Sequence, residues 1–99
     1  MEIKKEQNGS VMKIALVGRL DAVTAPDLDK VVQNELTGIT DLTLDFGELV
    51  YVASAGLRVL LLAQKRMKKQ GSMKLVHVSS DVKDVLEMTG VIDFLTIED

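Results

Sequence analysis

A single α/β domain spanning residues 1–99 is predicted, with a mixed, mainly parallel sheet, about three helices packed on it and an antiparallel hairpin at the amino end. Three observations predict it. Segments with apolar residues at period two alternate along the chain with segments of helical period, which is the signature of parallel strands joined by helices. An Asn8-Gly9 turn joins the first two strand-like segments, and only antiparallel strands accept so short a connection. The 99 residues are 46% hydrophobic and 27% charged, too apolar for a disordered chain and enough for one modest core.

Each element has its own warrant. Ile3 to Gln7 reads as a short edge strand and Val11 to Leu20 as a long one. In the long strand Met12, Ile14, Leu16 and Leu20 share one face, while Val11, Ala15 and Val17 partly fill the other, a pattern expected of a strand covered on both sides. Thr24 is the expected N-cap of a first helix, with Pro26 in its first turn and Asp27 at the third position. Its buried face is Leu28, Val31, Val32 and Leu36, and Gly38 is expected to end it. Leu42, Leu44 and Phe46 alternate with Thr43 and Asp45 in a third strand, closed by Gly47-Glu48. An apolar approach, Leu49 to Val52, then leads to a helix from about Ser54 to Gln70, whose basic last turns precede Gly71. Met73 to Val78 reads as a fourth strand. Ser79-Ser80-Asp81 caps a third helix with Val82, Val85, Leu86 and Met88 inward, and Gly90 stops it. A short strand within Val91 to Ile97 and an acidic Glu98-Asp99 close the chain.

Composition excludes several function classes. With no cysteine, a disulfide framework, a thiolate metal cluster and a cysteine nucleophile are ruled out, which suits a reducing compartment and a cytoplasmic protein. The apolar run Val59 to Ala63 is far below the ~20 residues that cross a bilayer, so no membrane association is expected. Twelve basic against fifteen acidic residues give a net charge of −3, and aromatics are 3% of the chain, so a nucleic-acid partner is disfavoured. Lys65-Arg66-Met67-Lys68-Lys69 is then a solvated helix end. The five methionines are scattered and serve as core filler. His77, the one histidine, falls in a strand with a structural or surface role, and no metal, cofactor or catalytic residue is expected. No glycine pattern has the spacing of a phosphate-gripping loop. Asp21, Asp45 and Glu48 are carboxylates near strand ends, where acids more often form turns than catalyse.

Ser54 is the residue with most to offer. At a helix mouth its hydroxyl lies beside amides that lack intrahelical partners, so as an N-cap it is worth about 1 kcal/mol. The same position suits a phosphate, which adds about −1.5 to −2 charges beside the positive end of the helix without unfolding it. Asp21, ending the neighbouring strand, lies on the same sheet edge and repels that phosphate.

Val17-Gly18-Arg19-Leu20-Asp21, Ala53-Ser54-Ala55-Gly56-Leu57-Arg58-Val59-Leu60-Leu61 and Val82-Lys83-Asp84-Val85-Leu86-Glu87-Met88-Thr89-Gly90 resemble, in order and spacing, the bacterial anti-sigma factor antagonists, the stand-alone form of the STAS domain also found on sulphate transporters. The resemblance spans nearly the whole chain. It implies partner switching: the antagonist sequesters an anti-sigma factor that is also a serine-protein kinase, phosphorylation by that kinase breaks the complex, and a serine phosphatase resets it. By position Ser54 matches the family's phosphoacceptor, the first hydroxyl of an Asp-Ser-Ser/Thr-Gly-Leu motif, and Asp21 matches an acidic residue near it. The partner surface implied is Asp21, Ala53, Ser54, Ala55, Gly56, Leu57 and Arg58. The chain carries Ala53 where an aspartate is common and Ala55 where a second hydroxyl is common, which removes a charge and a hydrogen-bonding group that a kinase reads. Those two alanines favour an alternative, a constitutive interaction or scaffold module without the switch. A small-ligand or nucleotide sensor at the strand ends is a third reading.

Overall fold

The computed structural model describes residues 1–98, so Asp99 lies outside the described residues. The elements follow in the order β1 (Glu2–Asn8), β2 (Val11–Leu20), α1 (Ala25–Asn34), β3 (Asp41–Val52), α2 (Ser54–Gln70), β4 (Ser72–Val76), α3 (Ser80–Met88), a 3₁₀ turn (Val91–Phe94) and β5 (Ile97–Glu98). The strands lie in sequence order in one sheet; β1 and β2 are antiparallel and every other pair is parallel.

That order decides where the helices go. Each parallel neighbour is reached through a crossover, and crossovers of one hand stepping in one direction place every helix on the same face. Burial agrees: Met12, Ile14 and Leu16, Leu42, Leu44 and Phe46, and Met73 and Leu75 are all buried, while Lys13, Thr43, Asp45 and Lys74 between them are not. The expectation of a second strand covered on both faces is therefore corrected. Val11 is 48% exposed, and Ala15 and Val17 are only half-buried on an open face. Each fully buried leucine, isoleucine or phenylalanine contributes roughly 1.5–3 kcal/mol, so this one-sided core carries the stability.

Tertiary contacts redrew several local expectations. Thr24 does occupy the N-cap position of α1, but its hydroxyl makes no cap bond; it donates backward to the Arg19 carbonyl at 2.8 Å and accepts from the Asp21 amide at 2.9 Å. The helix ends at Asn34 rather than near Gly38, which lies in the following turn at φ +81°. Arg66 donates to the Val32 and Gln33 carbonyls at 2.9 Å each, and Gln70 donates to the Leu36 and Ile39 carbonyls at 2.6 Å each. Met67 is buried. The basic run is thus a clamp on the end of α1 as well as a helix terminus; only its lysines are exposed.

β3 does not stop at Gly47-Glu48. It runs for 12 residues in all, on to Val52, with register shifts against β2 between Ala15 and Val17 and between Gly18 and Arg19 absorbing the extra length. β4 stops earlier than expected, at Val76. His77 lies beyond the strand at φ +57°, 69% exposed, with Nδ1 3.1 Å from an Asp45 carboxylate oxygen. The α3 cap is Ser79, whose hydroxyl accepts from the Val82 amide at 3.3 Å. Val82 and Leu86 are inward as expected, but Met88 is 86% exposed. Part of the final strand is the 3₁₀ turn, and β5 keeps only two residues beside β4.

Candidate functional site

The extension of β3 builds the site. Leu20 and Val52 are register partners at the ends of β2 and β3, and the Ala53 amide donates to the Leu20 carbonyl at 2.9 Å. One residue beyond that bond on either strand, the chain turns into Asp21 on one side and into α2 on the other. Asp21 and Ser54 therefore emerge side by side at the carboxyl edge of the sheet.

The helix start corrects one expectation. Ala53, with φ −112° and ψ 174°, is the N-cap of α2, and Ser54 is its first helical residue. The Leu57 amide donates to the Ala53 carbonyl at 3.0 Å, closing the first turn one residue earlier than a Ser54 cap requires. Ala53 has no side chain to bind the first amides, and the first turn contains no acid. The Ser54 hydroxyl is exposed and has no hydrogen bond among the described residues. It is not spent on structure.

The expected partner surface divides in two. Asp21, Ala53 and Ala55 are half-buried at the edge, and Ser54 and Arg58 are exposed. Gly56 and Leu57 are buried, so they position the helix and present nothing. At Gly56 the reason is close approach: a β-carbon there would meet Leu20 Cγ at 2.5 Å, Leu20 Cδ2 at 2.8 Å and the Leu20 carbonyl oxygen at 3.1 Å. Only glycine lets the first turn of α2 rest on the end of β2.

Asp21 is held within its own turn. One carboxylate oxygen accepts from the Val23 amide at 3.0 Å and from the Thr24 amide at 3.2 Å, and lies 3.2 Å from the Thr24 hydroxyl, whose one proton it shares with the Arg19 carbonyl; the other lies 3.7 Å from Arg19 Nε. The Thr24 amide, with Val23, the Thr24 hydroxyl and Arg19 behind it, keeps the carboxyl below its ordinary value of 3.8. A fixed negative charge therefore stands at the end of β2, the strand paired with the one that leads to Ser54.

Four further residues at this edge escaped the sequence reading. Arg19 lies 4.1 Å above the centre of the Tyr51 ring, its register partner. Tyr51 is 41% exposed, and Val50 and Val23 expose 69% and 84%. Arg19 and Tyr51 thus form a cation–π pair, and Val50 and Val23 add exposed apolar surface. Their signal was present: four apolar residues in a row, Leu49 to Val52, cannot all face a one-sided core.

The other candidate groups do not join this edge. Asp45 accepts from the Gly47 amide at 2.9 Å and pairs with His77 and Lys13 on the open sheet face, where Gly47 and then His77 hold its carboxyl below 3.8. Among the described residues no set of three histidine or acidic side chains is placed to hold a metal. A groove of about 570 Å³ lies beside Leu61, Lys68 and Phe94, about 10–20 Å along α2 from Ser54.

The STAS domain family model matches residues 2–99. The chain belongs to the STAS domain family. Among STAS relatives it is 30% identical over 99 residues to the anti-sigma-B factor antagonist of Bacillus subtilis, covering 98% of this chain and 90% of that one. It is 33% identical over 88 residues to BtrV of Bordetella bronchiseptica, a candidate anti-sigma factor antagonist, covering 88% of this chain and 70% of that one. Solved STAS structures share the fold. A candidate antagonist from Thermotoga maritima superposes with a TM-score of 0.88 at 21% identity, covering 98% of this chain and 86% of that one. The phosphorylated form of the Bacillus cell fate determinant SpoIIAA superposes at 0.76 and 17% identity, covering 99% and 92%. No helix among the described residues is long and apolar enough to cross a membrane.

Proposed function

We propose that this STAS protein is an anti-sigma factor antagonist: a cytoplasmic, non-enzymatic domain that sequesters an anti-sigma factor with serine-kinase activity and is released when Ser54 is phosphorylated. A serine phosphatase reverses the step. The observation that carries this reading is the Ser54 hydroxyl, exposed and unbonded on the first turn of α2, at the sheet edge that also holds the fixed carboxylate of Asp21. The contact surface is the edge formed by Asp21, Ala53, Ser54, Ala55 and Arg58, widened by Arg19, Val23, Val50 and Tyr51.

The switch works through charge. Unmodified, Ser54 carries no charge and Asp21 is already satisfied within its own turn, so a partner covers the start of α2 at little desolvation cost there. A phosphate brings about −1.5 to −2 charges to the edge that holds Asp21, and a partner closing over it has to desolvate both. The fold is spared because Ser54 contributes no bond to it. Similarity to the Bacillus subtilis antagonist over almost the full chain supports the assignment of partner class.

Incubation with ATP and the serine-kinase anti-sigma factor, followed by peptide mass mapping, tests the reading. One phosphate at Ser54, absent from Ser54→Ala, is the expected result. A protein that binds the kinase and stays unmodified instead fits a constitutive scaffold, the reading that Ala53 and Ala55 favour. No group at this edge favours a small-ligand sensor.

A further inference from the structure

Arg58 has no ion-pair or hydrogen-bond partner among the described residues. Of the three arginines, Arg19 is held between Asp21 and the Tyr51 ring, and Arg66 clamps the carbonyls at the end of α1. Arg58 alone is exposed with no ion pair or hydrogen bond among the described residues. It stands four residues after Ser54 on the same helix, so the two side chains share a face about 5–6 Å apart at Cβ. Helical side chains lean toward the amino end, which carries the Arg58 guanidinium back over the turn that holds Ser54. An acid placed one turn before a base is also the favoured order for such a pair.

We propose that Arg58 is the intramolecular counter-ion of phosphorylated Ser54. The inference rests on the phosphoswitch reading above and adds how the modified state is held. A guanidinium presents a planar fork that matches two phosphate oxygens, so the pair is bidentate and orders the phosphate along the helix. Phosphorylation then changes the edge twice: it adds negative charge and engages Arg58, which has no ion pair among the described residues. In the unmodified protein the same guanidinium faces outward, ready for a carboxylate of the partner. Charged groups at the carboxyl ends of the strands include Asp21 and Arg19, which lie 3.7 Å apart, and the first-turn acids of α1 and α3, Asp27 and Asp81, neither of them in an ion pair among the described residues.

The test installs phosphoserine at position 54 during translation, so that no kinase is needed, and follows its phosphorus resonance through a pH titration. In the otherwise unaltered chain the second ionisation, ordinarily near pH 6, is expected about 0.2–0.4 pH units lower than in Arg58→Gln. Arg58→Lys, which keeps the charge and loses the fork, is expected between them. Arg58 is exposed, so both variants keep the fold, and matching amide spectra check this. Equal titrations in the unaltered chain and Arg58→Gln overturn the proposal. The partner-switching reading fails separately, if the phosphorylated and unmodified chains bind the kinase equally while the titration difference persists.

Discussion

Gly56→Ala probes the contact that seats α2 on β2. The added β-carbon arrives 2.5 Å from Leu20 Cγ and 3.1 Å from the Leu20 carbonyl oxygen, against an ordinary carbon–carbon contact of about 3.5–4.0 Å. Leu20 is fully buried and its carbonyl is bonded to the Ala53 amide, so neither atom can retreat and the helix end has to lift by roughly 1 Å. Overpacking of this kind costs about 1–3 kcal/mol. Alanine recovers about 0.8–1.0 kcal/mol of helix propensity over glycine. With a 2.5 Å approach to a buried atom the overpacking cost falls in the upper part of its range, about 2–3 kcal/mol, so the net expectation is a loss of about 1–2 kcal/mol, or roughly 4–16 °C in Tm for a domain of this size. Thermal and urea denaturation followed by circular dichroism read it directly. An unchanged or raised Tm refutes the reasoning, because propensity alone then decides and Gly56 is not required by close approach.

Three other perturbations test separate parts of the structure. Ser54→Ala should leave the urea midpoint unchanged, since Ala53 is the cap; a loss of about 1 kcal/mol would restore Ser54 to that role. Arg66→Ala strips the Val32 and Gln33 carbonyls of their donor and should lower stability by about 1–2 kcal/mol in the same assay, whereas a surface arginine would cost almost nothing. Asp21 and Asp45 have folded-state pKa values depressed by backbone amides, so their stabilisation is complete above the unfolded value and lost as pH falls through the lower folded values. Urea midpoints should therefore drop from pH 7 to about pH 3, and less steeply in Asp45→Asn, which keeps the acceptor for Gly47 but no longer titrates.

Most of the fold was legible because its signals are local. β2 and α2 were placed to the residue, since each pairs a clear apolar period with a clear boundary, Asn8-Gly9 before β2 and Gly71 after α2. Errors arose where a partner overrode a local preference. Gly47-Glu48 reads as a turn, but β2 supplies a bulged parallel partner that carries β3 on to Val52. Val11, Ala15 and Val17 read as a second buried face, yet only the direction in which strands are added tells that all helices lie opposite. Thr24 reads as a forward cap, and its hydroxyl is drawn back to Arg19 and Asp21 instead.

At the site, the resemblance located the edge, while geometry sorted its members. Gly56 and Leu57 belong to the motif because they pack, a distinction no spacing reveals. Arg19 and Tyr51 are far apart in sequence and meet only through the sheet register. Val50 was hidden inside an apolar run that sequence reading assigned to the approach to α2.

The central claim, that Ser54 controls a partner complex without altering the fold, is tested most directly by calorimetric titration of the serine-kinase anti-sigma factor into unmodified and phosphoserine-54 protein of matched Tm. The account predicts a stoichiometric complex with the unmodified form and a loss of at least about tenfold in affinity, about 1.4 kcal/mol, with the phosphorylated one. Equal affinity for the two forms would contradict it.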